Sequence, residues 1–230
     1  MAFSRLTLSN DESVLTDISV GSIANWRIQG ATCIRSLTAS EWLDSDDQVD
    51  LSAQDIGTIR ITGSTSQDRP LRGDFQADVR LESTGALDTV DVAGWIDHSQ
   101  IVSTSGINSI SAGGFNDSII RVNSWGEDVP TPGVEDLYSA RGWIYSVVVR
   151  GITGEPYSLV NTIFAARYFG SVTLRDAQWT TPDGKPWGFV CSPNEGVCGL
   201  SYSDSTGTYG EDAFLTQIYN VGKAGDFRLP

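Results

Sequence analysis

Apolar positions along this chain do not follow a helical period. They recur in a pattern of eight: apolar, two variable, apolar, variable, usually apolar, variable, then a residue suited to a turn. The copies are Phe3–Asn10, Ile23–Gly30, Ile56–Gly63, Leu87–Gly94, Ile107–Gly114, Ile144–Gly151, Phe169–Asp176 and Val197–Asp204. The fourth and sixth positions alternate as inward residues of a short strand, and the closing Gly, Asn or Asp tolerates a sharp turn. A second strand follows most copies: Asn10–Leu15 compares with Asn116–Ile120, and Cys33–Leu37 with Ser118–Val122. Because both elements repeat together, the unit is a whole coil.

The spacing agrees. Phe3 to Ile23 and Leu87 to Ile107 are each 20 residues, a minimal coil of two or three short strands. The steps from Ile23 to Ile56 (33 residues) and from Ile107 to Ile144 (37) require insertions. Glu41–Asp50, Ser64–Gly73 and Trp125–Arg141 are polar or rich in Pro and Gly, and are expected to loop out. The prediction is an all-β chain: a single parallel β-helix (β-solenoid) of about eight coils over residues 1–204, with 205–230 as a capping or tail segment. At one strand spacing per coil the rod is on the order of 35 Å long. A helical bundle is excluded, and a sandwich or propeller of short strands is the weaker alternative.

A stack of coils has two open edges, and an uncapped edge templates further strands. Ala213–Val221 is expected to cover one end. Phe3 and Leu6 lie in the first coil, where no cap is evident. That end is expected to meet a neighbouring domain, a partner or a second copy.

Composition narrows the partners. The 230 residues carry a net charge of −14 and only two lysines, Lys185 and Lys223. Phosphate backbones are held by clustered Lys and Arg, so nucleic acid is not expected as a partner. The acidity also argues against an anionic membrane surface, and no apolar run is long enough to cross a bilayer. Neutral glycans, divalent cations and cationic surfaces stay open. The opening Met-Ala-Phe-Ser-Arg-Leu lacks the basic-then-apolar order of a signal peptide. The scarcity of lysine and abundance of Asp, Asn, Ser and Thr favour a fragment or mature chain over an intracellular protein. Cys191 and Cys198 bracket a loop that a disulfide could close, while Cys33 reads as a small buried hydrophobe. No Cys/His spacing suggests zinc.

Several stretches carry a resemblance. Gly73-Asp-Phe-Gln-Ala-Asp-Val79, Val92-Ala-Gly-Trp95, Ile107–Gly114 with Asn116-Asp-Ser118, and Val172-Thr-Leu-Arg-Asp176 resemble repeats of right-handed parallel β-helix segments in large secreted bacterial proteins. Asp183-Gly-Lys-Pro-Trp-Gly-Phe189 is similar to a Gly-rich segment near the C-terminal end of those regions. The resemblance spans Phe3 to about Asp204. It implies right-handed winding and an extracellular or cell-surface location, and it transfers no catalytic residue.

Chemistry has few candidates. A polysaccharide lyase needs carboxylates beside a basic side chain, and Asp74, Asp78, Asp91 and Asp97 with Arg72 or Arg80 are the available set. Asp equally fills turns, where its side chain accepts backbone N–H bonds. Asp46-Asp47 falls in an expected loop and reads as solvated charge. His98 follows Asp97, but strand neighbours point to opposite faces, so a surface histidine at a coil corner is the simpler reading. Trp125 and Trp179 are candidate ligand contacts, whereas Trp95 and Phe115 are expected to pack. Asn10–Glu12, Asp44–Asp50 and Asp74–Asp78 offer at most a weak structural calcium site, and no other cofactor is indicated. These features favour a non-enzymatic structural or binding module, a scaffold or self-assembling surface element. A lyase, a glycoside hydrolase or a carbohydrate-binding module on the lateral face is the alternative.

Overall fold

The computed structural model describes residues 4–7, 15–66, 70–82, 85–122, 142–178, 187–190, 197–204, 207–210 and 227–228. Within them the protein is all-β and its strands are mostly parallel, arranged in three ladders. The first ladder takes β1 (Ser4–Thr7), the start of β4 (Trp26–Ala39), the start of β6 (Val49–Ile61), β7 (Asp78–Leu81), β9 (Gln100–Ser103), β11 (Ile119–Val122), β14 (Ile163–Ala165), β16 (Trp187–Val190) and β19 (Phe227–Arg228). The second takes β2 (Thr16–Ser19), the ends of β4 and β6, β8 (Ala86–Asp97), β10 (Gly106–Asn116), β12 (Trp143–Val149), β15 (Tyr168–Arg175) and β17 (Val197–Asp204). β18 (Gly207–Gly210) folds back antiparallel on β17. The third ladder is short: β3 (Ser22–Ala24), β5 (Glu41–Leu43), Phe75, the last residues of β8 and β10, β13 (Leu159–Val160) and Ala177.

From β4 onward the chain visits first, second and third ladder in that order, repeatedly. Each ladder stacks like on like, so inward side chains form continuous columns. Leu37, Ile59, Val90, Ile110, Val147, Val172 and Leu200 make one. Ile28, Leu51, Val79, Ile101, Ile120, Phe164 and Phe189 make a second, and Ile23, Trp42, Phe75, Ile96, Phe115 and Leu159 a third. All these side chains are buried. The columns meet in one core, where Phe164 stacks on Phe189 at 4.8 Å and meets Phe115 edge-on at 5.1 Å. Truncating an enclosed aromatic such as Phe115 to Ala costs about 3–5 kcal/mol.

The corners explain why the strands stop. Asn25, His98, Asp117 and Asn161 stand between the third and first ladders with φ of 43–52°. Left-handed backbone suits short polar side chains that satisfy themselves locally. At two of these corners the next residue is a serine whose N–H is taken by the hydroxyl one turn on: Ser99 N–H donates to Ser118 Oγ (3.1 Å) and Ser118 N–H to Thr162 Oγ1 (3.4 Å). The two serines are thereby buried without orphaned N–H donors.

Two parts of the sequence reading need correction. The six copies of the eight-residue pattern from Ile56 onward are true equivalents, with Ile56, Leu87, Ile107, Ile144, Phe169 and Val197 paired in turn. The first two copies are not. Leu6 pairs with Ile28 in the first ladder and Ile23 belongs to the third; the counterparts of Ile56, Ile59 and Ile61 are Ile34, Leu37 and Ala39. A third-ladder residue, a corner and a first-ladder strand reproduce the spacing of one second-ladder strand. For the same reason Cys33–Leu37 and Ser118–Val122 are on different ladders. Secondly, Glu41–Asp50 is not all loop: β5 and the start of β6 bracket Asp44–Gln48, because Trp42 supplies the third ladder's buried residue.

Phe3, Asn10–Glu12, Trp125, Trp179, Cys191, the side chain of Cys198, the 125–141 insertion and the 213–221 cap all lie outside the described residues. Cys33 is half-buried on β4 and so is not the core residue expected of it. No helix among the described residues is long and apolar enough to cross a membrane.

Candidate functional site

The corner between the second and third ladders is compact in some turns and extended in others. Ile61 and Phe75 are separated by an insertion pinned at its base by the antiparallel bridge Ser64–Leu71. Val149 and Leu159 are separated by a second one. Between these two turns lie compact corners, Ala93-Gly94 on β8 and Gly113-Gly114 on β10. The insertions stand as walls and the compact corners are the floor. Small residues let the walls close down: a Cβ on Gly94 would lie 2.2 Å from Asp74 Oδ1, and one on Gly114 would lie 2.5 Å from the Trp95 ring. Either would force the groove apart.

The resulting groove, about 340 Å³, is lined by Arg72, Asp74, Trp95, Asp97, Asn116 and Tyr157, with Glu155 and Pro156 on the far wall. Arg72 Nε donates to Asp74 Oδ1 at 2.9 Å and Nη2 donates to Oδ2 at 3.0 Å, a bidentate clamp. The hydrogen bond to Asp74 holds the Arg72 guanidinium further above its already high pKa. Asp74 Oδ1 also accepts the Trp95 backbone N–H at 2.8 Å. Arg72 Nη1 reaches Glu155 Oε1 at 3.4 Å, tying one wall to the other across 83 residues of sequence. The guanidinium sits 6.0 Å from the Trp95 ring centroid, at the outer limit of a cation–π contact.

Asp97 forms the end of the groove. Its carboxylate accepts from Asn116 Nδ2 (2.8 Å) and Gln76 Nε2 (2.9 Å), and its Oδ1 lies 2.8 Å from His98 Nδ1. Burial alone would push its pKa up, but the Asn116 and Gln76 hydrogen bonds and the neighbouring His98 together hold it below the ordinary value. Asp97 therefore stays ionised. The His98 contact corrects the expectation that the two side chains diverge: His98 is not a strand residue but a left-handed corner (φ 51°), and the turn swings its ring back over Asp97. His98 is a surface corner residue, 66% exposed, with Nε2 3.7 Å from Asp117.

The six sequence candidates do not form one site. Asp74, Asp97 and Arg72 come together in the groove. Asp91 lies on the outside of the second ladder, 2.8 Å from Arg150 and 3.7 Å from Arg60, where Arg150 anchors the stem of the second insertion. Asp78 and Arg80 lie on the first ladder. Asp78 accepts the Gln100 N–H at 2.7 Å and has a pKa raised to about 6 by burial. Beside it Asp50 is wholly buried, accepts the Asp78 N–H at 3.0 Å through Oδ2, and has a pKa raised to about 7, chiefly by burial and further by Asp44, Asp78 and Asp46. Its Oδ1 has no hydrogen-bond partner. Asp46 is not merely solvated, since it pairs with Arg27 at 2.6 Å. Exposed Arg80 borders a larger depression of about 700 Å³ with Arg5, Gln29, Ser52 and Glu82, and no aromatic side chain among the described residues lines it. Among the described residues no three His, Cys, Asp or Glu side chains are grouped to hold a metal ion.

The aromatic expectations divide. Phe115 packs in the core as predicted. Trp95 is packed on one side alone: it is half-buried, with the indole lying over Gly114 along the groove wall. Sequence reasoning missed Asn116, Glu155 and Tyr157 as site residues. The available signal was Gly151-Ile-Thr-Gly-Glu-Pro-Tyr157, a turn-rich stretch that lengthens a corner elsewhere only a few residues long. No family model, no curated protein and no solved structure matches the chain.

Proposed function

We propose that the three ladders are the faces of one right-handed parallel β-solenoid of about eight turns, and that this solenoid is a non-enzymatic binding module holding a glycan in its lateral groove. The repeated order of the ladders supports winding, and parallel crossover connections are right-handed in almost all proteins. One observation carries the choice of binding over turnover: Asp74 and Asp97, the two inner carboxylates of the groove, are already taken up by protein donors. Glycoside hydrolysis needs a carboxyl group whose pKa is raised so that it can donate a proton. Asp97 is shifted the other way, and Asp74 is committed to Arg72 and the Trp95 N–H. What the groove offers is an indole wall, an exposed tyrosine, an amide and carboxylate acceptors, the components of hydroxyl recognition around an apolar face. The proposed setting is extracellular, in line with the resemblance.

Affinity electrophoresis through gels containing soluble polysaccharides, with parallel assay for new reducing or unsaturated ends, tests this. Retardation without new ends is expected. Protein-dependent chain cleavage, or no retardation by any polysaccharide, would overturn it.

A second reading rests on the sheet edge. β1 and β2 each pair with β4 and, among the described residues, with no other strand. Their free sides can accept a further strand, so the same module is proposed to associate, with a second copy or a neighbouring domain, through that edge.

A further inference from the structure

We propose that the groove selects glycans bearing free, protonated amines: glucosamine-type units, in preference to neutral or acidic sugars. The inference rests on the glycan reading above and adds the class of sugar. It follows from the charge arrangement. Among the described residues lining the groove, Asp74, Asp97 and Glu155 face one guanidinium, that of Arg72, which is consumed by Asp74 and Glu155. His98, on the outer side of Asp97, faces Asp97 and Asp117. The groove therefore keeps excess negative charge beside an aromatic wall.

Asp97 has the capacity to use it. Oδ1 is occupied by Asn116 and His98, but among the described residues Oδ2 accepts only from Gln76, so one lone pair of a carboxylate that is 23% exposed can take a new donor. Glu155, 41% exposed, lies opposite. An ammonium between them gains charge-assisted hydrogen bonds, and the Trp95 and Tyr157 rings favour a cation further. An acidic sugar meets the same carboxylates as repulsion. A net charge of −14 also draws cationic ligands toward the surface.

The test is calorimetric titration of the full chain with a glucosamine tetramer, its N-acetylated counterpart, a neutral glucose tetramer and a lysine tetrapeptide. The glucosamine tetramer is expected to bind at least about tenfold more tightly than the acetylated and neutral ones. Trp95→Ala should abolish binding of all the sugars. Asp97→Asn should erase the preference for the amine, and Glu155→Gln should narrow it. Glu155 is on the exposed wall, so that variant carries the test if Asp97→Asn disturbs the corner. Equal affinity for amine and neutral tetramers in the wild type overturns the selectivity and leaves the glycan groove standing. So does a preference that survives Glu155→Gln unchanged. Failure of every sugar to bind overturns the glycan reading together with this one. A lysine peptide that binds as tightly, and loses binding in Trp95→Ala, replaces the sugar with a cationic peptide.

Discussion

Asp50 and Asp97 show how one residue type takes opposite roles in one all-β fold. Asp97 sits at a corner among donors, and its folded pKa is lowered, so it contributes stability above the unfolded value that is lost as pH falls through the folded one. Asp50 is enclosed with acidic neighbours, and its folded pKa of about 7 lies far above the unfolded value near 3.8. Its contribution has the reverse sign: fully present below about pH 4, and lost as pH rises toward about 7. Asp50→Asn should therefore flatten the fall in melting temperature across that window and stabilise the protein at mildly alkaline pH by up to a few kcal/mol. Thermal melts of both proteins over a pH series check this; parallel curves would contradict it. The floor glycines make a second residue-level prediction. Gly114→Val should cost about 1–3 kcal/mol, because its side chain must displace the Trp95 ring, and should weaken glycan binding as well. Denaturant melts and titration of the same variant measure both.

At the level of elements, the groove exists because two turns are extended at the same corner and the two between them are not. Arg72 and Glu155 tie the walls by an exposed ion pair, which is worth less than about 1 kcal/mol to stability. Its place across the groove matters more than its strength. The first-ladder edge is the other element with a consequence. Leu6 is partly buried against the core in β1, so Leu6→Asp should remove concentration-dependent association while leaving later turns folded. Light scattering with circular dichroism tests this, and association that persists in the variant sinks the edge proposal. Much of this architecture is legible in the sequence. The second ladder was readable from Ile56 onward, because strand residues one turn apart keep the same spacing and closing glycine. The third ladder was harder to read. One or two buried residues per turn, such as Phe75 or Ile96, leave no periodic signature of their own. The groove was half legible: Arg72, Asp74 and Asp97 were candidates by residue type. Sequence could not place Glu155 and Tyr157 beside them, since that contact depends on two insertions dozens of residues apart closing over Gly94 and Gly114.

On the scale of the whole molecule, a stacked core carries a recessed groove that is both aromatic and acidic. The core columns run through the described strands of all three ladders, so the groove walls rest on a packed base. That is the arrangement expected of a preorganised binder, which pays little ordering entropy on association. The net charge of −14 disfavours polyanionic ligands and accords with the proposed glycan groove. The central claim is recognition without turnover, and the most direct measurement is a glycan array probed with wild type and Trp95→Ala, followed by mass spectrometry of the bound oligosaccharides. The account predicts wild-type binding that is lost in the variant, with the captured oligosaccharides intact. Binding that ignores Trp95, or oligosaccharides shortened by the wild-type protein, would contradict it.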